Sequence, residues 1–289
     1  ENLVEQVTEF LSLLPIEYHY LSIDGDSYII FYLPYKPYIE EEDKLFIDSY
    51  YAAFQKMRDI KIKIVEFLDR SGYTVLDNNY LYKELALMTG SVKRLKNTLT
   101  AHPKYGSFFV IEVIRIKGEY NAPLPVKKEE YPLCKSCNLC VKTCPTNTIG
   151  ESFIRSTCIR ELQNAGYIED DKLAALCGKK ILGCNSCQTV CPSNARIKPI
   201  IKDDSGLLCI EYMFDTAVSG KKGMSGYKRL LGENYIRPVR TLALVINAMT
   251  NINSTTRYRE IEKLITHDDE RVRLSCERYL ERRNDRKRN

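Results

Sequence analysis

Apolar positions change their spacing along the first part of the chain, and each spacing predicts an element. The runs at 27–33 and 107–116 are continuous and rich in β-branched and aromatic residues, which favours buried strands. Between them, apolar residues recur every three or four positions from Phe46 to Arg70, a spacing typical of a helix. Strands that alternate with helices predict an α/β sandwich over residues 1–122.

The pattern changes again after a proline-containing linker at 121–125. Residues 126–203 are rich in cysteine, and residues 204–289 have the apolar spacing of an all-helical segment. We predict one apolar helix at 239–249, followed by a helix pair at 258–265 and 269–283. A pair of this kind is typical of HEAT-type repeats, so a HEAT-like α-helical tail is expected.

Eight of the eleven cysteines belong to a pattern that predicts two iron–sulfur clusters. The first run has the spacing C-x2-C-x2-C-x3-C-P of bacterial ferredoxins, in which three cysteines hold one 4Fe–4S cluster and the fourth binds the other. The second run, C-x2-C-x3-C-P, has one ligand fewer. Such a module transfers single electrons, which indicates a redox protein. The cysteines of the two runs are Cys134, Cys137, Cys140 and Cys144, then Cys184, Cys187 and Cys191.

The sequence offers two candidates for the eighth cluster ligand. Cys158 lies upstream of the second run, and Cys177 competes with it for the position. Cys209 and Cys276 lie in apolar, helix-like runs and are expected to be buried thiols. Zinc is the alternative metal, but two interlocked runs fit poorly to a site of four ligands in two pairs. Cysteines this close in sequence also suit a metal better than disulfides.

Composition favours a cytoplasmic protein of several modules. At 289 residues, 44% apolar and 28% charged, the chain is long enough for two or three cores, and no apolar run has the length of a membrane span. Residues 221–289 carry 17 Lys and Arg against 9 Asp and Glu, whereas residues 1–220 carry 26 against 29. This excess predicts either a polyanionic partner for the C-terminal segment or a solvated basic helical surface.

The order of these parts resembles the epoxyqueuosine reductase family. The likeness is most specific in the two cysteine runs, in Cys158-Ile159 and in Cys191-Pro-Ser-Asn194, and it extends to the tail segments 235–248 and 267–274. Members of that family use two 4Fe–4S clusters and a cobalamin to remove an epoxide oxygen in the last step of making queuosine in tRNA. The resemblance implies an α+β multi-module fold: an N-terminal α/β sandwich, a ferredoxin-like double 4Fe–4S module and a HEAT-like tail.

The resemblance also assigns the ligands. In the family, the cysteine that matches Cys158 completes the second cluster, which leaves Cys177 without a ligand role. We therefore expect cluster one and cluster two to have separate sets of four cysteines. Cluster one takes Cys134, Cys137, Cys140 and Cys191, and cluster two takes Cys144, Cys158, Cys184 and Cys187.

Cobalamin is implied by a glycine-rich family run that matches residues 89–98. Its shared residues, the predicted cofactor-binding residues, are Gly90, Lys96, Asn97 and Thr98. Glycines in such a run let the backbone approach a large cofactor closely. Here the segment 92–95 reads Val-Lys-Arg-Leu, and we expect these side chains to add bulk and charge where a corrin would lie.

Asp77 has two interpretations. The resemblance makes it the candidate for the proton-donating catalytic acid, a role that needs a buried carboxyl with a raised pKa. Its position before a predicted helix at 78–88 equally suits an N-cap, which Asp favours.

Three functions remain open from the sequence. The first is reduction of epoxyqueuosine to queuosine in tRNA, with electrons from an external ferredoxin or flavodoxin type donor passing through both clusters to cobalamin. The basic tail would then bind the tRNA anticodon arm, because Lys and Arg contacts to phosphate supply most of such affinity. The second is a cobalamin-free double-cluster electron-transfer protein, or a reductase acting on another substrate. The third is a nucleic-acid-binding protein with purely structural clusters.

Overall fold

The computed structural model describes residues 3–120, 122–201 and 205–288, so the predicted linker residue Asn121 lies outside it. The described chain forms two compact units that interleave along the sequence. They differ from the three consecutive modules proposed from the sequence, because the cysteine-rich segment contributes to both. The division at 1–122, 126–203 and 204–289 therefore stays a prediction. Unit one comprises Glu1–Lys36, Ala52–Cys140 and Gln188–Lys198; unit two comprises Pro37–Tyr51, Val141–Cys187 and Pro199–Asn289.

The described elements are mixed helix and strand, as predicted. The strands are β1 (Glu17–Ile23), β2 (Asp26–Pro34), β3 (Phe46–Ile47), β4 (Val75–Leu76), β5 (Lys93–Arg94), β6 (Thr100–Ala101), β7 (Phe109–Lys117) and β8 (Lys180–Leu182). The α-helices are α1 (Leu3–Ser12), α2 (Tyr50–Arg70), α3 (Tyr82–Met88), α4 (Leu139–Thr143), α5 (Ile159–Ala165), α6 (Asp171–Leu176), α7 (Ser186–Thr189), α8 (Ile210–Val218), α9 (Gly220–Gly223), α10 (Lys228–Leu231), α11 (Pro238–Asn251), α12 (Tyr258–Lys263) and α13 (Glu270–Arg288). Short 3-10 helices lie at Pro132–Lys135, Arg155–Thr157, Pro192–Asn194, Ser205–Leu208, Met224–Tyr227, Glu233–Tyr235 and Leu264–Thr266.

Unit one is built on an antiparallel sheet with strand order β1-β2-β7-β4. The predicted strands at 27–33 and 107–116 are its two central strands, β2 and β7. The β1–β2 hairpin turns at Asp24 and Gly25, which both have positive φ, the conformation that two-residue hairpin turns require. One face of the sheet, with Tyr28, Ile30 and Tyr32, packs against the buried residues of α3.

The predicted helix from Phe46 to Arg70 begins later than expected. Helix α2 starts at Tyr50, whose backbone N–H donates to Asp48 Oδ1 at 3.0 Å. Phe46 and Ile47 instead pair in parallel with β8 of unit two. The prediction was wrong at this end because apolar periodicity continues across the capping carboxylate.

Unit two is mainly helical around an apolar core. Helix α11 packs on α8 and α13, and its side chains from Leu242 to Met249 are almost all buried. The predicted helices at 239–249 and 269–283 are confirmed as α11 and α13, each with slightly longer bounds. The helix predicted at 258–265 is shorter in the structure, because α12 ends at Lys263 and a 3-10 turn follows. Within the described residues, no helix is long and apolar enough to cross a membrane.

Candidate metal centre

The four cysteines predicted for cluster one line a single cavity in unit one. Cys134 lies in the 3-10 turn that starts at Pro132, and Cys140 lies in the first turn of α4. Cys191 joins them although it is far along the sequence. Pro192 follows it and opens a 3-10 turn, which carries the chain away from the cavity. The crossover expected from the ferredoxin spacing is therefore present in the geometry of this cavity.

A buried polar network holds the segment of Cys191 in place. Asn194 Oδ1 accepts from the backbone N–H of Ser107 at 2.7 Å, and its Nδ2 donates to Ser107 Oγ at 2.9 Å and to Gln188 O at 2.7 Å. Gln188 Nε2 donates to Ser107 O at 3.0 Å. Gly106 fits closely there, because a Cβ would collide with Asn194 Oδ1 and lie 2.7 Å from Ser193 O. Sequence reasoning missed this network; its only signal was Asn194 in the Cys-Pro-Ser-Asn motif.

The cysteines predicted for cluster two all belong to unit two. The unit boundary falls between Cys140 and Val141, so Cys144 separates from the other cysteines of its own run. Burial raises the pKa of the Cys158 thiol, and the nearby thiols of Cys184 and Cys144 raise it further. The structure thus brings three of the four predicted cluster-two ligands near one another, from three different segments of chain.

Backbone amides surround the Cys144 thiol. Burial raises the pKa of this thiol, but hydrogen bonds from the backbone at Thr146 and Thr148 lower it more, so its pKa lies below the ordinary value. N–H groups directed at a sulfur stabilise the thiolate, which is the form that binds metal. The loop after the first cysteine run is therefore built for a thiolate ligand.

Cys177 has a different environment from Cys158. It is 1% exposed, it packs with Ile159, Ile168 and Ala174, and its Sγ donates to Leu173 O at 3.4 Å. Burial raises its pKa to about 12, which disfavours the thiolate. The geometry favours Cys158 as the eighth ligand.

The remaining cysteines differ from each other. Cys276 is fully buried, as predicted, and burial raises its pKa to about 12. Cys209 is only half-buried, and its Sγ accepts from Lys44 Nζ at 3.1 Å. The expectation of a buried thiol at Cys209 was wrong, because Cys209 lies at the N-terminal cap of α8 beside a charged side chain.

A zinc ion would require the thiols to converge on one point. Within the ranges that the structure describes, no three His, Cys, Asp or Glu side chains are grouped closely enough to hold one metal ion. A structural zinc needs four ligands on a single ion, at about 2.3 Å for sulfur. A cluster of four irons keeps its cysteines farther apart, because each one binds a different iron.

The two apolar side chains of the segment 92–95 are buried inside unit one. Val92 and Leu95 are 1% and 3% exposed, so they do not stand on a surface open to a corrin. Lys93 pairs with Glu129 at 2.7 Å and Arg94 with Glu84 at 2.5 Å. The expectation that these side chains add bulk on a corrin surface was therefore wrong for Val92, which packs in the apolar core, and for Leu95, which is buried against the cavity of the cluster-one cysteines.

Two of the four predicted cofactor-binding residues lie beside the predicted cluster one. Lys96 and Asn97 line its cavity. Lys96 Nζ donates to Cys137 O at 3.0 Å and to Asn138 Oδ1 at 2.7 Å. Gly90 has a positive φ, and a Cβ there would lie 2.9 Å from a methyl group of Val126, so local packing alone explains the glycine.

Asp77 lies on an irregular segment, and its carboxyl is exposed. It lines an open depression of about 630 Å³ with Asn78, Tyr80 and Val113 among its neighbours. Helix α3 starts at Tyr82 with Leu81 at the cap position, so Asp77 does not cap it. The N-cap interpretation of Asp77 was wrong because the predicted helix starts four residues later than expected. The burial expected of a proton-donating acid is also not present at this position.

Basic side chains of the tail are partly used within unit two. Arg278 pairs with Asp171 at 2.6 Å, and Arg282 donates to Asp171 O at 3.3 Å. Arg283 lies over the ring of Tyr258, 4.8 Å from its centre. Helix α13 continues to Arg288, while the side chains of Arg286 and Arg288 lie outside the described part.

Comparison with known proteins supports a double 4Fe–4S cluster module. Residues 133–194 match the family model of the 4Fe–4S double cluster binding domain. An epoxyqueuosine reductase of Listeria monocytogenes is 36% identical over 104 residues, which is 35% of this chain and 26% of that protein. The matches to the first curated relatives cover only 26% to 41% of their length, so the chain spans less than half of each.

Solved structures extend the likeness to the fold. A selenomethionine-labelled epoxyqueuosine reductase superposes with a TM-score of 0.74 at 14% identity, covering 97% of this chain and 98% of the other. An epoxyqueuosine reductase with a tRNA-Tyr epoxyqueuosine-modified stem loop gives a TM-score of 0.70 at 15% identity, over 97% and 98%. The chain thus resembles the epoxyqueuosine reductase family, as its motifs predicted, and has the fold of these structures.

Proposed function

We propose that this protein is an iron–sulfur reductase of the epoxyqueuosine reductase type, which reduces epoxyqueuosine to queuosine in tRNA. The observation that carries the proposal is the cavity of unit one, where Cys134, Cys137, Cys140 and Cys191 meet. The likeness to proteins that are named for this reaction supports the substrate. A reducing cytoplasm is the compartment that suits this many free thiols.

The eight cysteines would hold two 4Fe–4S clusters. We assign Cys134, Cys137, Cys140 and Cys191 to cluster one and Cys144, Cys158, Cys184 and Cys187 to cluster two, in agreement with their division between the two units. The clusters would supply one-electron transfer from an external ferredoxin or flavodoxin type donor. The protein contributes loops that fix each set of thiolates and, at Cys144, amides that stabilise the thiolate.

We also propose that the protein binds cobalamin, in unit one. The burial of Val92 and Leu95 supports this, because it removes the bulk that would exclude a flat macrocycle. Bound cobalamin would supply a strongly reducing cobalt centre for removal of the epoxide oxygen. That removal takes two electrons and two protons and releases water. Gly90 and Thr98 remain candidates for the cofactor contact, whereas Lys96 already contacts the cysteine loop.

Asp77 would donate a proton to the departing oxygen. Its exposed position requires that its segment close over the substrate before Asp77 acts. One solved epoxyqueuosine reductase, from Bacillus subtilis, has its catalytic aspartate loop swung out of the active site. The irregular segment before α3 is suited to a movement of this kind, because Leu81 gives that helix no side-chain cap.

The tail would bind the tRNA anticodon arm. Helices α12 and α13 would form the HEAT-like pair, and a pocket that contains Arg282 and Arg283 beside Ser254 and Thr255 offers cationic and hydroxyl groups to phosphate. Affinity for tRNA should then fall steeply with added salt. An interaction with tRNA that does not depend on salt would indicate that the basic tail is only a solvated helical surface.

The test is a single-turnover reaction of the reduced, cluster-loaded protein with cobalamin and tRNA carrying epoxyqueuosine. We expect queuosine in the digested tRNA, and saturable cobalamin binding marked by spectral loss of the lower axial base. Asp77→Asn should reduce the rate by about 100-fold or more, as for loss of a general acid, while the exposed control Asp69→Asn should not.

The second candidate is a cobalamin-free electron-transfer protein, or a reductase of another substrate. It is favoured by the contact of Lys96 with Cys137 O, because this residue needs no corrin to explain it. Two intact, reducible clusters with neither cobalamin binding nor queuosine formation would select this candidate.

A further inference from the structure

Asn97 has a buried donor that faces no acceptor in the protein. The residue is 4% exposed and lines the cavity of the cluster-one cysteines. Its Oδ1 accepts from the backbone N–H of Leu99 at 3.3 Å, which fixes the orientation of the amide. Among the side chains that the structure describes, Asn97 Nδ2 is one of the few buried polar atoms without a hydrogen-bond partner. Leaving such a donor unpaired costs about 1–3 kcal/mol, so an acceptor is expected beside it.

The chain holds this amide in place with a strained turn. Strands β5 and β6 form a small hairpin, closed by Leu95 N–H donating to Leu99 O at 2.8 Å. Thr98 in the turn has a φ of 65°, which is unusual for a β-branched residue. Backbone strain of this kind costs about 1–3 kcal/mol and is concentrated at functional sites. The turn places Asn97 at the cavity, where the Leu99 N–H fixes its amide.

Lys96 adds a positive charge at the same place. Its ammonium group bridges Cys137 O and Asn138 Oδ1 and so fastens the hairpin to the loop of the cysteines. Lys96 and Asn97 therefore present a cation and an amide donor to one cavity. Hydrogen bonds to the sulfurs and local charge are the means by which a protein sets the potential of an iron–sulfur cluster.

We infer that the side-chain amide of Asn97 donates an N–H···S hydrogen bond to a sulfur of cluster one and raises its reduction potential. The inference rests on the proposed function, since it requires that the four cysteines of this cavity hold a cluster. Reduction adds one negative charge to the cluster, and a donor directed at a sulfur stabilises that charge. Asn97 is thus a tuning residue rather than a cobalamin contact.

The direct test is Asn97→Asp in the cluster-loaded full chain. The substitution keeps the shape of the side chain and an acceptor for Leu99 N–H, but it replaces the donor by an anion. We expect full iron content and a lower midpoint potential for one cluster only, measured by a redox titration followed by electron paramagnetic resonance. The matched control is Asn79→Asp, an exposed site in the same unit whose Oδ1 accepts from Tyr28 OH at 2.8 Å and which would keep that acceptor.

A second variant separates the hydrogen bond from the added charge. Asn97→Ala removes the donor without an anion and should lower the same potential by a smaller amount. In both variants an exchangeable proton coupled to the reduced cluster, seen by electron–nuclear double resonance in H₂O against D₂O, should be lost. Unchanged potentials with full iron, or an equal shift in Asn79→Asp, would overturn the inference. Loss of cluster one in both variants would also overturn the inference, because Asn97 would then serve cluster assembly. A wild-type protein that lacks cluster one would refute the proposed function instead.

Discussion

Two cavities of unit one differ in how completely the protein defines them. The cluster-one cavity gathers four cysteines from two distant segments, and the buried Asn194, Gln188 and Asn97 pack behind or beside them. The depression at Asp77 is open, about 630 Å³, with one exposed carboxyl on an irregular segment. The contrast teaches that the fold surrounds the four cysteines with buried, hydrogen-bonded side chains, whereas it leaves the proposed substrate site open.

The charged groups around the two cavities support the same contrast. In the Asp77 depression, Lys61 pairs with the buried Glu112 at 2.9 Å and serves the fold. At cluster one, Lys96 is fastened to the backbone of the cysteine loop. A cation that is held against its cavity can act on a ligand there without moving. Substitutions can test this difference in preorganisation between the two cavities.

The largest effect is expected from loss of a cluster ligand. Cys191→Ser should remove cluster one and about half of the iron, although Cys191 is distant in sequence from Cys134, Cys137 and Cys140. Cys158→Ser should remove cluster two in the same way, and the matched substitution Cys177→Ser should leave both. Iron analysis with electron paramagnetic resonance of the reduced protein distinguishes them. If Cys191→Ser perturbs only the cluster of Cys184 and Cys187, the crossover is wrong.

The next effect concerns the network behind Cys191. Asn194→Ala removes three hydrogen bonds to Ser107 and Gln188 and leaves their partners buried, so we expect unit one to lose about 2–4 kcal/mol. Denaturant unfolding of the loaded protein measures the loss. The exposed Asn164→Ala is the control and should change stability little. An equal effect of both substitutions would show that the network does not support the cavity.

A smaller effect of opposite sign is expected at the hairpin. Thr98→Gly relieves the left-handed backbone strain and should stabilise unit one by about 1 kcal/mol, reduced by the greater entropy of glycine in the unfolded chain. Thermal unfolding provides the comparison. A clear destabilisation would mean that the Thr98 side chain does more than its backbone conformation indicates.

The smallest expected effect is a pH dependence of the stability of unit one. Burial lowers the pKa of His102, and Glu17, whose Oε1 lies 2.9 Å from His102 Nε2, raises it by less. Because the folded pKa lies below the unfolded one, the stability from neutral His102 is present above about pH 6.5 and is lost as the pH falls towards the folded pKa. The opening free energy of the β2 amides, obtained from hydrogen exchange after correction for the intrinsic exchange rate, should therefore decrease on acidification, and His102→Gln should reduce this pH dependence. An unchanged dependence in that variant would assign it to other groups.

Local sequence patterns predicted the features that depend on residues close together along the chain. The spacing of the cysteines indicated a double-cluster module, because cluster geometry restricts spacing directly, and the apolar runs indicated β2, β7 and α11. The assignment of the two ligand sets came from the family resemblance and stays a prediction. The capping of α2 by Asp48 and the late start of α3 could not be predicted, since both depend on backbone contacts rather than periodicity. The hydrogen bonds of Asn194 and the unpaired amide of Asn97 depend on residues brought together by the fold. For that reason the sequence identified Lys96 and Asn97 as motif residues without their position at the cavity of the cluster-one cysteines.

The central claim is that each unit holds one four-iron cluster. The most direct measurement is iron, acid-labile sulfide and zinc in anaerobically purified full-length chain. The account predicts about eight iron and eight sulfide per chain, the sum of two 4Fe–4S clusters. Stoichiometric zinc without inorganic sulfide would contradict it.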